Sequence, residues 1–229
     1  MARLFNARPK DAEEVELFQQ YFKTHARYTA GVETRYAPSM ITGTTQHQDL
    51  AKGFVVGTRF HSAPVIRLAD ARPMQLGHTV KADGRWRIVA FGTARDTGAP
   101  GGPVAELCAA LTAPSSILDQ VTPDGADIDS VIETLAVFQV PHREIELQNL
   151  PRLLLPIKGK LKLTDYEKVF CPCVEAPNIF DLRGVNRAQG AAVVIRPDQY
   201  ISQVCPLDAA DTLGGFFRGV LRFARIDCK

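Results

Sequence analysis

The chain has 229 residues, 45% of them hydrophobic and 23% charged, with a formal net charge of +2. That length can bury one sizeable core, and the near balance of charge leaves no dense Lys and Arg cluster of the kind nucleic acid requires. The longest apolar runs, such as AAVVI and LAVF, are far too short to span a bilayer, and the 5 cysteines at irregular spacing form no disulfide framework. The opening MARLFNARPKDAEEVE lacks the apolar stretch of a secretory signal, so a reducing cytoplasm is the expected compartment.

In chain order, the first expected element is a helix from Asp11 to Ala30. Val15, Phe18, Phe22, Ala26 and Thr29 recur at helical spacing, and Asp11 with Glu14 makes a start like a capping box. Gly31 is a natural stop, because glycine takes the left-handed cap at little cost. From Gly31 to His78 the pattern loosens, and this stretch reads as an extended connecting arm over a partner surface.

Order returns after the turn signal KADG. RWRIVAF, Arg85 to Phe91, reads as a buried strand, and TARDTGAPGG as a breaker. Pro103 then opens a helix with Val104, Leu107, Cys108 and Leu111 on one face. Val131 to Val140 is a β-rich run. AAVVIRPDQYISQVCPL reads as a hairpin whose turn is Arg196 to Gln199.

A final helix is expected from Asp208 as N-cap, with Asp211 in its first turn and an apolar stripe of Leu213, Phe216, Phe217, Val220 and Leu221. Gly214, Gly215 and Gly219 each cost roughly 1 kcal/mol inside a helix, which suggests close approach of another backbone. Strand, helix, strand, insertion, strand, strand, helix is the thioredoxin order. The expected fold is therefore α/β and thioredoxin-like, a mixed sheet preceded by a long N-terminal helix and an arm.

Thioredoxin chemistry needs a thiol between the first strand and the following helix, where the helix dipole lowers its pKa. GTARDTGAPGGPVAEL occupies that place and contains no cysteine; Cys108 falls later, on the apolar face. Cys171 and Cys173 flank Pro172 in DYEKVFCPCVEAP, inside the insertion. A one-residue spacing makes a strained disulfide ring, and structural zinc needs two further ligands, for which His142, Cys205 and Cys228 supply no matching pair. Two incidental thiols is the preferred reading, beside a redox pair or a metal site.

The remaining constellations are thin. His25, His47, His61, His78 and His142 are scattered, and no G-x-G-x-x-G follows a strand. GAPGG lacks the Lys-Ser/Thr ending of a phosphate loop. Arg183, Arg187 and Arg196 could hold an anion, but are expected to pair with Asp181 and Asp198 on a solvated surface.

The segments GTRFHSAPVIRLADARPMQLGHTVKADGRWRIVAFG, DYEKVFCPC, DLRGVNRAQGAAVVIRPDQYISQVCPLDA and TLGGFFRGVL resemble the C-terminal part of flavin-dependent phenol 2-monooxygenases and 3-hydroxybenzoate 4-hydroxylases. The resemblance implies a thioredoxin-like region without redox cysteines, associated with dimer formation. It also implies a parent enzyme using FAD and NADPH bound upstream. On that basis residues 1–77 correspond to the end of the substrate-binding part and its arm, and 78–229 to the thioredoxin-like domain.

No catalytic, cofactor-binding or metal residue carries over, because the family's flavin and substrate motifs match no position here. Cys173 departs from the family's FCP followed by an acidic residue. The expected function is a non-catalytic structural module, present as a separate chain, that self-associates or docks to a flavin-bearing partner. The alternatives are a part of an active hydroxylase working with a separate FAD-bearing chain, a reduced flavoprotein, a thiol oxidoreductase using Cys171 and Cys173, or a module binding aromatic compounds at Phe18, Tyr21, Phe22 and Tyr28.

Overall fold

The computed structural model describes residues 12–221. The chain divides into two compact units, Met1–Arg35 and Tyr36–Lys229. The first contains helix α1, Ala12–Thr29. Its aromatic stripe appears as contacts within the helix, Phe18 with Phe22 at 6.2 Å and Tyr21 stacked on His25 at 4.2 Å. Gly31 follows at φ +68°, the left-handed stop expected of it.

The second unit is built on a seven-stranded sheet. Its strands are β1 (Pro64–Arg67), β2 (Arg72–Gln75), β3 (Trp86–Phe91), β4 (Ile132–Val137), β7 (Val169–Pro172), β8 (Ala191–Ile195) and β9 (Ile201–Cys205). The spatial order is β2-β1-β7-β4-β3-β8-β9, with β5 (Ile157–Lys158) and β6 (Leu163–Thr164) forming a separate hairpin. β3 runs parallel to β4, and β8 lies antiparallel to β3 and to β9. Helices α2 (Pro103–Thr112), α3 (Ile117–Val121), α4 (Ile179–Leu182) and α5 (Ala210–Val220) complete the unit. The β3-α2-β4 and β8-β9-α5 halves side by side are the thioredoxin arrangement, as the element order predicts.

Alternation along β3 divides the core. Trp86, Ile88 and Ala90 face Val104, Leu107, Cys108 and Leu111 of α2 and Leu213 and Phe217 of α5. The Trp86 ring meets Phe216 and Phe217 edge-on at 5.7 and 5.5 Å. Val89 and Phe91 point to the other face, where Leu50, Phe54, Val56 and Phe60 pack. Each such side chain contributes about 1.5–3 kcal/mol by leaving water.

Four expectations need correction. The stretch from Tyr36 onward is not an arm over a partner: it covers its own sheet. Gly57 and Phe60 donate to the Ile201 and Gln199 carbonyls along the edge of β9, and β1 and β2 extend the opposite edge. In DYEKVFCP, read as part of an insertion, Val169–Pro172 form strand β7 of the main sheet, between β1 and β4.

The last helix begins at Ala210, with Ala209 at the N-cap and no side-chain cap, so Asp208 does not cap it. Its glycines answer no close approach either. A Cβ at Gly215 or Gly219 would meet nothing within 4 Å, and at Gly214 only the side chain of Arg218 on the next turn.

Candidate functional site

The place where this fold would do chemistry is the junction from β3 to α2. Gly92 leaves the sheet with its N–H on the Val137 carbonyl, and the chain then turns through residues 93–102. Asp96 is buried at 4% exposure, and its carboxylate accepts hydrogen bonds from the backbone N–H groups of Gly98 (2.8 Å) and Val104 (2.9 Å). Pro103 fills the first helical position and needs no partner, so the carboxylate meets a free N–H of the first turn and the positive end of the helix dipole.

The loop is shaped to let the carboxylate in. Gly98 sits at φ +76°, and a Cβ there would lie 2.6 Å from Leu150 and 2.8 Å from Phe138. At Gly102 a Cβ would lie 2.7 Å from the Asp96 carboxylate. A thioredoxin-type enzyme presents a thiolate here; this chain presents a buried carboxylate tied to backbone. The same geometry fails as a dinucleotide site, because the Asp96 carboxylate occupies the helix end that would receive a phosphate. The residues at this helix end do not fit the pyrophosphate of FAD.

The thiols are placed for packing. Cys108, Cys171 and Cys205 are buried in the helix-side core, and burial pushes each thiol up to about 12, opposite to what a nucleophile needs. Cys173 lies half-buried just past β7, and the four described cysteines are free of disulfides. Cys228 lies outside the described residues. Among those residues no group of three His, Cys, Asp or Glu is placed to hold a metal ion.

The expected arginine cluster does not form one site. Arg187 pairs with Asp181 at 2.9 Å on the surface, as predicted. Arg196 pairs with Asp198 but is buried, held also by Thr42 and lying over the Tyr36 ring at 4.8 Å. Among the described residues Arg183 has no carboxylate and its Nε finds no partner; its guanidinium donates to the Ser62 carbonyl, and burial lowers its pKa.

A second charged centre went unseen in the sequence. At the N-terminal ends of β3, β4 and β7 the apolar runs each begin with a charge: Arg87, Glu133 and Lys168. Arg87 and Glu133 are register partners, with Nε to Oε2 at 2.7 Å. Lys168 Nζ reaches Glu133 at 2.6 Å, Asp129 at 2.7 Å and Asp165 at 3.1 Å. Asp83 bridges Arg85 and Arg87, both at 2.8 Å, and Lys158 joins Asp129 at 2.8 Å.

Acidic and basic groups in this cluster are equal in number, so it carries no net charge. Burial opposes ionisation of Asp129, but hydrogen bonds from Lys158 and Lys168 outweigh it and hold the carboxyl below its usual range. Burial likewise works against the Lys168 ammonium, and Glu133 and Asp129 raise it above the ordinary lysine value. The signal was present as single charges heading apolar runs, in RWRIVAF, VIETLAVF and EKVF.

Residues 34–225 match the family described as "Phenol hydroxylase, C-terminal dimerisation domain". The chain belongs to that family. It is 51% identical over 208 residues to a 3-hydroxybenzoate 4-monooxygenase of Comamonas testosteroni, covering 90% of this chain and 33% of that protein. It is 31% identical over 211 residues to the FAD-dependent monooxygenase terD of Aspergillus terreus, covering 90% of this chain and 34% of that one.

The chain therefore spans about a third of the curated relatives it matches. Among solved structures, aklavinone-11 hydroxylase in complex with FAD and aklavinone is similar over 82% of this chain and 26% of its own, at 19% identity and a TM-score of 0.41. Among the described residues, no helix of this dimerisation domain is long and apolar enough to cross a membrane.

Proposed function

We propose that this chain is a non-catalytic self-association module of a flavin-dependent aromatic hydroxylase, working as a homodimer in the cytoplasm. The observation that carries the reading is Asp96: the position where the fold would hold a reactive thiol is closed by a buried carboxylate that caps α2. The family description and its relatives' names support the association role and a phenolic substrate for the parent enzyme. FAD and NADPH belong to that parent, on this reading, and not to the residues of this chain.

We further read residues 1–77 as the end of the substrate-binding part with its connecting arm, and 78–229 as the thioredoxin-like part. Strands β1 and β2, from the end of the first part, belong to the same sheet as the strands of the second. On this reading the module acts as a separate chain or within a longer one.

Four measurements on the purified chain test this. Light scattering is expected to give a dimer, added FAD to leave the protein colourless after gel filtration, and an insulin-reduction assay to show no turnover. Peptide mapping after brief alkylation should label Cys173 well ahead of Cys108, Cys171 and Cys205. Stoichiometric FAD, or thiol turnover lost with Cys171→Ser, would overturn the non-catalytic reading.

A further inference from the structure

The seven-stranded sheet ends on β2 and β9. An outermost strand presents unpaired backbone N–H and carbonyl groups, and so invites a strand of another chain. β2 protects itself: it has four residues, largely exposed, among them Arg72 and Pro73. β9 does not. Its ISQVC carries neither charge nor proline, and every residue in it is buried. The β9 edge has to be closed by something else.

The chain from Tyr36 to Phe60 closes it, meeting β9 twice. The Gly43 N–H donates to the Ser202 carbonyl at 2.8 Å. Further on, the Gly57 N–H donates to the Ile201 carbonyl and the Ile201 N–H to the Thr58 carbonyl, both at 2.9 Å. The Tyr36 N–H donates to the Gly57 carbonyl at 2.8 Å, so this strap closes on itself. Glycine is required at that closure. Gly57 lies at φ +86°, and a Cβ there would collide with the Tyr36 carbonyl oxygen.

β9 is shaped to receive the strap. Val194 pairs with Gln203 but Ile195 with Ile201, so Ser202 is an extra residue, a β-bulge. The bulge gives the Ser202 carbonyl to Gly43 and lets its hydroxyl donate to the Ile41 carbonyl at 2.9 Å.

One side chain then fastens the first pass of the strap at both ends. Arg196, in the turn between β8 and β9, is only 6% exposed. Its Nη1 donates to the Thr42 hydroxyl at 2.9 Å, and its guanidinium lies over the Tyr36 ring at 4.8 Å. Asp198 accepts from its Nε at 3.0 Å, and the Tyr200 ring stands edge-on to Tyr36 at 4.8 Å. This clasp sits where the second unit begins, at Tyr36.

We infer that residues 36–60 are an edge guard, fastened by Arg196, that keeps β9 of one copy from pairing with β9 of another. A second copy is the partner to exclude, because identical strands pair antiparallel about a twofold axis, each offering the other the same edge. The guard goes beyond the proposed self-association and does not depend on it. It removes the β9 edge from the surfaces that copies can share.

Amide hydrogen exchange of the full chain, with sedimentation, tests this. Arg196→Met keeps much of the packing volume and removes the clasp. The Gly43 and Ile201 amides should exchange about 10- to 100-fold faster, while those of the central strands β3 and β4 keep their rates. Tyr36→Ala, at a ring 43% exposed, opens the strap more gently without touching a buried group, by about threefold at the same two amides. At about 100 μM, Arg196→Met should sediment as species larger than those of the wild type. In them the Ile201 amide should regain protection, and Gly43, left on the opened strap, should not. Unchanged exchange in both variants overturns the clasp, as does an equal loss of protection in β3 and β4. A strap that opens with no larger species, or larger species with Ile201 unprotected, overturns the guard.

Discussion

The two ends of the parallel strands β3 and β4 have taken opposite courses. At the C-terminal end, where a thioredoxin-type enzyme keeps its reactive thiol, Asp96 is spent on two backbone N–H groups of the following turn and helix. At the N-terminal end, which the fold does not need for chemistry, Arg87, Glu133, Lys168 and Asp129 form a dense buried ionic cluster. The contrast teaches that charge density is a poor guide to function. The crowded end is internally neutralised, and the sparse end holds a single buried carboxylate bonded to backbone.

The contrast can be attacked first at the crowded end. Lys168→Met leaves Asp129, Glu133 and Asp165 without their shared cation, and urea unfolding should show a loss of about 3–5 kcal/mol. The same cluster sets the pH response. Asp129 and Asp165 are held below the ordinary aspartate value of 3.8, so their contribution is complete above that value and is lost as pH falls through the lower folded-state value. Lys168 is raised above 10.5, so its contribution is complete below that value and is lost as pH rises beyond it. A melting temperature flat between these limits and falling outside both is expected; a maximum confined to pH near 7 would contradict the cluster's assignment.

At the sparse end, Asp96→Ala should cost about 1–3 kcal/mol, through a lost cap and a buried N–H left unpaired. Asp96→Asn, which keeps an accepting oxygen, should cost less. Equal losses at the two ends would erase the distinction drawn between them. The smallest effect is a gain: Gly215→Ala or Gly219→Ala should each stabilise the chain by up to about 1 kcal/mol, since neither Cβ meets a neighbour. Destabilisation at either position would reinstate the close backbone approach that the sequence suggested.

Much of the fold was legible in the sequence, because long periodic segments report their own burial. RWRIVAF, the Pro103 helix, the AAVVI hairpin and the Leu213–Phe217 stripe all formed where the spacing placed them. What escaped notice was short or non-periodic. β1, β2 and β7 have four residues each, too few to show alternation, and the Phe54–Phe60 cover is held by contacts with distant strands.

The empty thiol position was readable from the missing cysteine, but the role of Asp96 depended on a carboxylate meeting an N–H of Val104 eight residues on. An Asp-x-Gly turn before Pro103 was the available signal. The ionic cluster escaped because each of its members looked like a lone charge at a strand start. Only the register of β3 on β4 shows that Arg87 and Glu133 are neighbours.

The central claim is that the molecule holds copies of itself together. Sedimentation equilibrium of the purified chain from about 1 to 100 μM, a range that brackets ordinary dimer affinities, tests it most directly. The account predicts a mass of twice the 25.1 kDa chain, falling toward a single chain only on dilution. A single-chain mass across the whole range would contradict it.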